Sequence, residues 1–171
     1  MEKEFIYKFI QQHRVAVVSS VTKDGVPESA LVGIAVSGDL EIVFDTITTS
    51  RKYENIIHNP SVALVIGWDD ETTVQYEGMA MELMDADDRY REIYYSVYPD
   101  GRERAKTWPG LVHFKVSPRW LRYSNFNGPV VIEEMVFGGW LFTETRRRRE
   151  VSRLYDGQDY LCDPIVQPPV A

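Results

Sequence analysis

The chain has 171 residues, of which 44% are hydrophobic and 26% charged, so it is long enough to bury one core and too apolar to be disordered. Its formal net charge is −7, and the acidic excess lies within residues 1–137, which hold 14 basic and 21 acidic side chains. A body of this charge repels polyanions, which argues against nucleic acid as a partner. The single cysteine, Cys162, excludes an intramolecular disulfide and a cysteine-rich metal site, and we expect no bound metal.

The first segment predicts an amphipathic helix rather than a targeting signal. Phe5, Ile6, Phe9 and Ile10 recur at helical spacing between charged residues, which indicates a helix over residues 2–13. The same segment carries acids where a secretion signal needs bases, and no apolar run in the chain approaches the roughly 18 residues of a membrane span. We therefore expect a cytoplasmic protein that makes no membrane contact.

Six β-like runs follow, joined mainly by short turns. Lys23-Asp24-Gly25 predicts a hairpin turn, and Gly78 predicts a bulge or a close backbone approach. Further helices are expected at 50–58 and 86–98, the second starting behind Asp85. The predicted strands are residues 15–21, 26–36, 40–44, 61–68, 72–84 and 111–123. This order favours a mainly β fold, a six-stranded antiparallel split barrel with peripheral helices, over a parallel α/β sheet.

The character of the sequence changes after Asn127-Gly128-Pro129. We predict one barrel domain over residues 1–128 and a C-terminal appendage, residues 129–171, that packs on the barrel or on a partner subunit. Within the appendage, Trp140 to Phe142 is expected to pack against one of these surfaces. The run Arg146 to Arg149 is flanked by acids, which is typical of a solvated face.

A polar elbow between the third and fourth runs carries the strongest functional signal. Ser50, Arg51 and Lys52 stand at the start of the predicted helix at 50–58. Unpaired backbone N–H groups in a first helical turn point at an anion, and the helix dipole adds about half a positive charge there. Two adjacent cations at this point indicate a phosphate site, although an isolated Arg-Lys pair is more often a solvated surface.

Several short motifs occur in an order and spacing that resemble a known family. They are Gly25-Val26-Pro27, Phe44-Asp45-Thr46, Ser50-Arg51-Lys52, Asn55, Asn59-Pro60-Ser61-Val62-Ala63 and Glu77-Gly78-Met79-Ala80. Together they resemble the FMN-binding split barrel of the pyridoxamine 5′-phosphate oxidase-like superfamily, over roughly residues 5–124. The resemblance implies a homodimer with FMN in a groove between the subunits, and the deazaflavin F420 is the alternative cofactor.

The resemblance also implies a role for each cofactor-binding residue. Three elbow residues would bind the phosphate, two strand residues would line the ribityl chain, and two residues of the second strand would lie along the isoalloxazine ring. A threonine would stand near the ring, and one tryptophan would either reach the flavin of the opposite subunit or be a core aromatic. In that order these residues are Ser50, Arg51 and Lys52; Asp45 and Thr46; Val32 and Gly33; Thr73; and Trp120.

The chain departs from the true oxidases at three places. Leu31 stands where they carry an Arg, and Thr72-Thr73 stands where they carry Arg-Gln. The C-terminal Arg-x-His-x-Arg signature for substrate is absent, with LRYSNF in the corresponding strand. Because the phosphate of a vitamin B6 substrate would lack its cationic clamp, the sequence predicts a related member rather than a pyridoxamine 5′-phosphate oxidase.

Two functions of different classes remain open at this point. The first is an FMN-dependent oxidoreductase that acts on a small molecule in the dimer groove, with NAD(P)H as a candidate electron donor. The second is a binding or sensing module that holds flavin, deazaflavin or haem without turnover. No catalytic residue can be assigned, and His13, His58 and His113 are interpreted as structural.

Overall fold

The computed structural model describes residues 1–84 and 87–138. In chain order, the α-helices are α1 (Lys3–Gln12), α2 (Arg51–His58), α3 (Asp88–Val97) and α4 (Gly101–Thr107), and a short 3₁₀ turn spans Asp69–Glu71. The strands are β1 (Val15–Val21), β2 (Pro27–Val36), β3 (Ile42–Ile47), β4 (Ser61–Ile66), β5 (Thr72–Glu82), β6 (Leu111–Asn125) and β7 (Val131–Val136).

The strands form one antiparallel sheet in the order β3-β2-β1-β4-β5-β6-β7. A further pairing of β3 with β6, in which Phe44 lies opposite Phe114, closes the first six strands into a barrel. The predicted six-stranded antiparallel barrel is therefore confirmed. Closure pairs both edges of the six-stranded sheet, and β7 adds a seventh strand outside the ring.

The core fills the inside of the barrel, and alternation of buried and exposed residues along the strands is clearest in β4. In that strand, Val62, Leu64 and Ile66 are buried while the residues between them are exposed. Helix α1 contributes Ile6 and Ile10 to the same core, as its apolar spacing predicts. The buried Tyr76 hydroxyl is satisfied, since it lies 3.1 Å from the Leu40 carbonyl and 2.8 Å from that of Val116.

Gly78 marks both a bulge and a close approach, as predicted. The register of β5 against β6 shifts between Glu77 and Gly78. A Cβ atom at Gly78 would lie 2.6 Å from the backbone oxygen of Ser117. Only glycine lets the two backbones come this close.

Strand β3 differs from its prediction in a way that matters for the site. It was expected at residues 40–44, whereas the structure has it at Ile42–Ile47. Leu40 has a φ of 62° and belongs to the preceding turn. Asp45 and Thr46, which the resemblance assigns to the ribityl chain, therefore lie within the strand, and their side chains point to opposite faces.

Helix α3 covers the outside of the barrel beside β2 and β3, and α4 lies beside α3 and β6. Tyr94 of α3 packs with Ala35 and Val43 in a second, smaller apolar cluster. Helix α3 begins at Asp88 rather than at residue 86, and Asp85 lies outside the described residues. Helix α4 was not predicted, because GRERAKT is short and lacks an apolar periodicity.

The segment after residue 128 continues the sheet as far as the structure describes it. Strand β7 pairs with β6, with Trp120 opposite Val136 and Arg122 opposite Glu134. The division into a barrel and an appendage at 128/129 stays a prediction. The apolar run from Trp140 to Phe142 and the basic run at 146–149 lie outside the described residues.

Candidate functional site

The elbow begins with a serine that caps helix α2. Ser50 has extended backbone angles, and its Oγ accepts a hydrogen bond of 3.3 Å from the Tyr53 N–H. This is the favoured chemistry for the residue before a helix. The helix ends after eight residues at Asn59-Pro60, since proline cannot continue it. The local sequence therefore determines where the positive end of α2 lies.

Two hydroxyls and one cation meet at this positive end. The Thr46 and Ser50 hydroxyl oxygens are 2.9 Å apart, and the Lys52 Nζ donates to Thr46 Oγ1 over 3.2 Å. Thr46 is 6% exposed, so its hydroxyl is held in place by the barrel wall. Three of the residues predicted to bind cofactor are therefore in contact. Such a group of donors beside a helix N-terminus can bind the oxygen atoms of a phosphate.

Arg51, the remaining elbow residue, makes a different contact. The guanidinium of Arg51 forms an ion pair with Glu28, at the start of β2. Glu28 Oε2 also accepts a hydrogen bond of 2.9 Å from Asn55 Nδ2, which in turn donates to Ser20 Oγ over 3.1 Å. Sequence reasoning did not find Glu28. The pairing of Glu28 with Ser20 across the β1–β2 hairpin could have suggested only that it lies near this end of the barrel.

Asp45 lies on the other face of β3, away from Thr46. One of its carboxylate oxygens, Oδ2, is 3.3 Å from an Arg104 nitrogen of helix α4, and Arg104 also pairs with Asp100. Burial raises the pKa of the neighbouring Tyr94, and the Asp45 carboxylate raises it further. Asp45 therefore takes part in a charged contact between the barrel and α4. Sequence reasoning missed Arg104 together with its helix.

Val32 and Gly33 lie further along β2, about 13 and about 16 Å from Glu28 at the usual strand rise. Val32 points into the barrel and is 6% exposed. The outer side of Gly33 is contacted by the Tyr98 ring, whose hydroxyl donates to the Arg14 carbonyl. The position that the resemblance gives to the isoalloxazine ring is thus bordered by Tyr98 of the same chain.

Thr73 and Trp120 lie on the outer face of β5 and β6. Thr73 is half-buried opposite Ser124, and Trp120 is half-buried opposite Glu77. The Trp120 Nε1 donates to Glu134 of β7 over 3.4 Å. Trp120 is therefore not a core aromatic, and its ring is part of the outer surface of the sheet.

The outer face of the sheet carries a row of apolar side chains next to these two residues. Leu31, Val17 and Val65 follow one another across β2, β1 and β4 in register. Leu31 is 64% exposed, although it is an aliphatic side chain in the middle of a strand. An apolar row on a pleated sheet is the kind of surface that a partner covers. Leu31 is also the position at which the resemblance expects an arginine.

His113 lies in a buried aromatic environment between β6 and α3. It is 4% exposed, and its ring meets those of Tyr94 and Tyr95 edge-on at 5.2 and 5.5 Å. Burial lowers its pKa, while the nearby Asp45 charge opposes that change. Its Nε2 is buried and has no hydrogen-bond partner among the residues that the structure describes. Burial thus disfavours the charged form of the ring, and His113 packs as an aromatic group.

Within residues 1–84 and 87–138, no group of three or more His, Cys, Asp and Glu side chains could hold a metal ion. None of the helices in the same ranges has both the length and the apolar character needed to cross a bilayer.

A comparison with family sequence models gives a match over most of the described chain. The model described as Pyridoxamine 5′-phosphate oxidase matches residues 3–125. A comparison with curated proteins gives no significant match.

Solved structures share the fold at low sequence identity. General stress protein 26 from Bacillus anthracis str. Sterne is 24% identical with a TM-score of 0.58, over 79% of this chain and 98% of that one. A heme binding protein from Mycobacterium smegmatis is 13% identical with a TM-score of 0.67, over 80% of this chain and 58% of that one. Campylobacter jejuni ChuZ is 11% identical with a TM-score of 0.64, over 77% and 58%. This chain thus spans little more than half the length of the last two proteins.

Proposed function

The chain belongs to the pyridoxamine 5′-phosphate oxidase family, and from this premise we propose that it binds FMN and acts as an FMN-dependent oxidoreductase on a small molecule. The observation that carries the proposal is the contact of Thr46, Ser50 and Lys52 at the N-terminus of α2. The Ser50 hydroxyl, the Lys52 cation and free backbone N–H groups in the first turn of α2 are available to one phosphate, and the Thr46 hydroxyl lies beside them. F420, which presents a similar ring and a phosphate, is the variant cofactor.

The chemistry divides between cofactor and protein. Bound flavin would supply the redox step, with NAD(P)H as the proposed electron donor. The residues of this chain would bind and orient the cofactor: Ser50, Arg51 and Lys52 at the phosphate and Thr46 at the adjoining ribityl oxygen. No side chain is assigned as an acid or base in this proposal.

We propose further that the site is completed by a second copy of the chain. Thr73 and Trp120 lie on the outer sheet face and the elbow lies at the end of the barrel, so one chain offers them on different surfaces. The exposed apolar row that includes Leu31 supports burial of this face against a partner of the same kind. A homodimer would bring the outer face of one subunit to the flavin of the other.

Flavin titration of matched variants tests the proposal. Lys52→Met should weaken FMN binding about tenfold while leaving riboflavin unchanged, because the lost ion pair involves only the phosphate. Lys23→Met, in the exposed β1–β2 turn, removes the same charge elsewhere and should leave both affinities unchanged. Wild-type protein that shows no visible flavin absorption band after incubation with FMN would refute the proposal.

A binding module without turnover is the second candidate function. The similarity in fold to a heme binding protein favours it, with haem or flavin as the ligand. Anaerobic addition of NADPH or NADH to FMN-loaded protein separates the two functions. Rapid bleaching of the flavin supports the oxidoreductase, whereas tight binding of FMN or hemin without reduction supports the module.

A further inference from the structure

Glu28 is a carboxylate built into the side of the phosphate elbow. It stands at the start of β2, and its side chain is only 15% exposed. On one side it accepts the 2.9 Å hydrogen bond from Asn55, and on the other it forms the ion pair with Arg51. An anion is therefore held in place beside the cations that the proposed function assigns to an anionic ligand.

The position of Glu28 is defined by the packing around it. Asn55 is 6% exposed and bonds both members of the cross-strand pair formed by Ser20 and Glu28. A carboxylate held by a buried amide cannot turn freely into solvent when a ligand arrives. A phosphate at the elbow must therefore share Arg51 with Glu28.

The charges at the elbow then match a ligand with one negative charge better than a ligand with two. Arg51 and Lys52 contribute two positive charges, and Glu28 cancels one of them. A phosphate monoester carries close to two negative charges at neutral pH, whereas a phosphodiester carries one. The second negative charge of a monoester has no cation to pair with, and the Glu28 carboxylate repels it.

We propose that Glu28 is a specificity-determining residue, which lowers the affinity of the elbow for doubly charged phosphate monoesters relative to singly charged phosphodiesters. This inference rests on the proposed function, since it takes the elbow to be the phosphate site of the cofactor. It goes beyond that function by naming a residue that sets how strongly the site discriminates between the two classes of phosphate ester.

The inference predicts an effect that depends on ligand charge. Glu28→Gln removes the charge and keeps a side-chain oxygen for Asn55. Because Coulomb energy is proportional to the charge of the ligand, the variant should bind FMN about tenfold more tightly and its singly charged methyl ester about threefold more tightly. Riboflavin, which has no phosphate, should bind equally well to both proteins.

Fluorescence titration of full-length wild type, Glu28→Gln and Glu54→Gln measures the three affinities. Glu54 is exposed in the first turn of the same helix, so its variant controls for a change in net charge. We expect Glu54→Gln to shift FMN affinity less than twofold. Equal changes for all three ligands, or weaker FMN binding by Glu28→Gln, would overturn the inference.

Inorganic phosphate at pH 8 separates this inference from the proposed function. Its binding is followed through the backbone amide NMR signals of residues 50–53, and Glu28→Gln should bind it several-fold more tightly. If no variant binds flavin but this phosphate effect is seen, the FMN proposal is wrong and the role of Glu28 stands. If flavin binds and Glu28→Gln changes neither phosphate nor FMN affinity, the proposed function stands and the role of Glu28 is wrong.

Discussion

Asp45 and Thr46 are adjacent in the chain but lie on opposite faces of β3. Thr46 joins Ser50 and Lys52 at the end of the barrel, whereas Asp45 pairs with Arg104 of α4. Alternation of side chains in a strand is sufficient to separate them. The pair that resemblance assigned jointly to the ribityl chain is thus expected to divide into a binding residue and a stabilising residue.

Isosteric variants test this division. Thr46→Val removes the hydroxyl and should weaken FMN binding between twofold and about tenfold, the range for one lost hydrogen bond. Asp45→Asn should lower the free energy of unfolding by about 1 kcal/mol, because Arg104 loses a charged partner, and leave FMN affinity unchanged. Urea unfolding and FMN titration of both variants measure these effects. If Asp45→Asn instead weakened FMN binding and Thr46→Val lowered only the free energy of unfolding, Asp45 rather than Thr46 would be the cofactor-binding residue.

His113 makes the stability of the barrel depend on pH. Its pKa is lowered in the fold because burial disfavours the charged ring, so below its ordinary value of 6.5 the unfolded chain binds the proton more readily. Stability from this residue is present above about pH 6.5 and is lost as the pH falls below that value.

Replacement of His113 should reduce this pH dependence. The melting temperature of wild type should fall between pH 7.5 and 5.5, and that of His113→Phe should fall less. His58→Gln, on the exposed end of α2, is the control, and its melting temperature should fall with pH as much as that of wild type. If the melting temperatures of all three proteins fell equally with pH, groups other than His113 would cause the acid sensitivity.

At the level of single elements, the close pairing of β5 with β6 depends on one glycine, Gly78. A Cβ at Gly78 would lie 2.6 Å from the Ser117 carbonyl and 2.7 Å from Val116 Cγ1, and the backbone oxygen cannot move without breaking the bulge. Strain of this kind typically costs about 1–3 kcal/mol. We expect Gly78→Ala to lower the free energy of unfolding by that amount.

Thermal and urea unfolding of Gly78→Ala measure the cost. Gly38 is the matched control, because it lies in the β2–β3 turn with no heavy atom within 4 Å of an added Cβ. Gly38→Ala should change stability by less than about 0.5 kcal/mol. Equal stability of the two variants would mean that the bulge relaxes at no cost.

Helix α4 is held against the barrel by an ion pair and has no apolar pattern. Its sequence has no apolar stripe, and it is held instead by Arg104, which pairs with Asp45 on β3 and Asp100. Arg104 also lies over the Trp108 ring at 5.6 Å. Ion pairs between elements leave no periodic signal in the sequence, so this helix was not predicted.

At the scale of the whole molecule, the outer face of the sheet is the surface that a second copy is proposed to cover. Leu31→Glu places a charge in the row formed by Leu31, Val17 and Val65, at the β2 end of that row. Burying an unpaired charge in an interface is costly, so this variant should be monomeric and should bind FMN more weakly. Sedimentation equilibrium with and without FMN gives both results.

Ile57→Glu is the control for the dimer prediction. Ile57 is an exposed apolar residue near the end of α2, away from the row, so its variant should keep the wild-type mass. A flavin-loaded wild-type monomer would contradict the shared site. A dimeric Leu31→Glu protein would move the interface to another surface.

Local sequence patterns were sufficient to predict the barrel and the position of the elbow. Alternating apolar runs with short turns require an antiparallel sheet, Gly78 had to mark an irregularity, and Ser50 had to precede a helix that Pro60 ends. These are local properties of the backbone and of side-chain periodicity, which neighbouring residues are enough to specify.

The residues that surround the elbow could be identified only from the folded structure. Glu28 reaches Arg51 from 23 positions earlier in the chain, and Arg104 reaches Asp45 from 59 positions later. Strand pairing and helix packing bring such residues together, and neither is encoded in the spacing of a single segment. The cations of the elbow could therefore be predicted from sequence, whereas the carboxylate that limits their charge required the folded barrel.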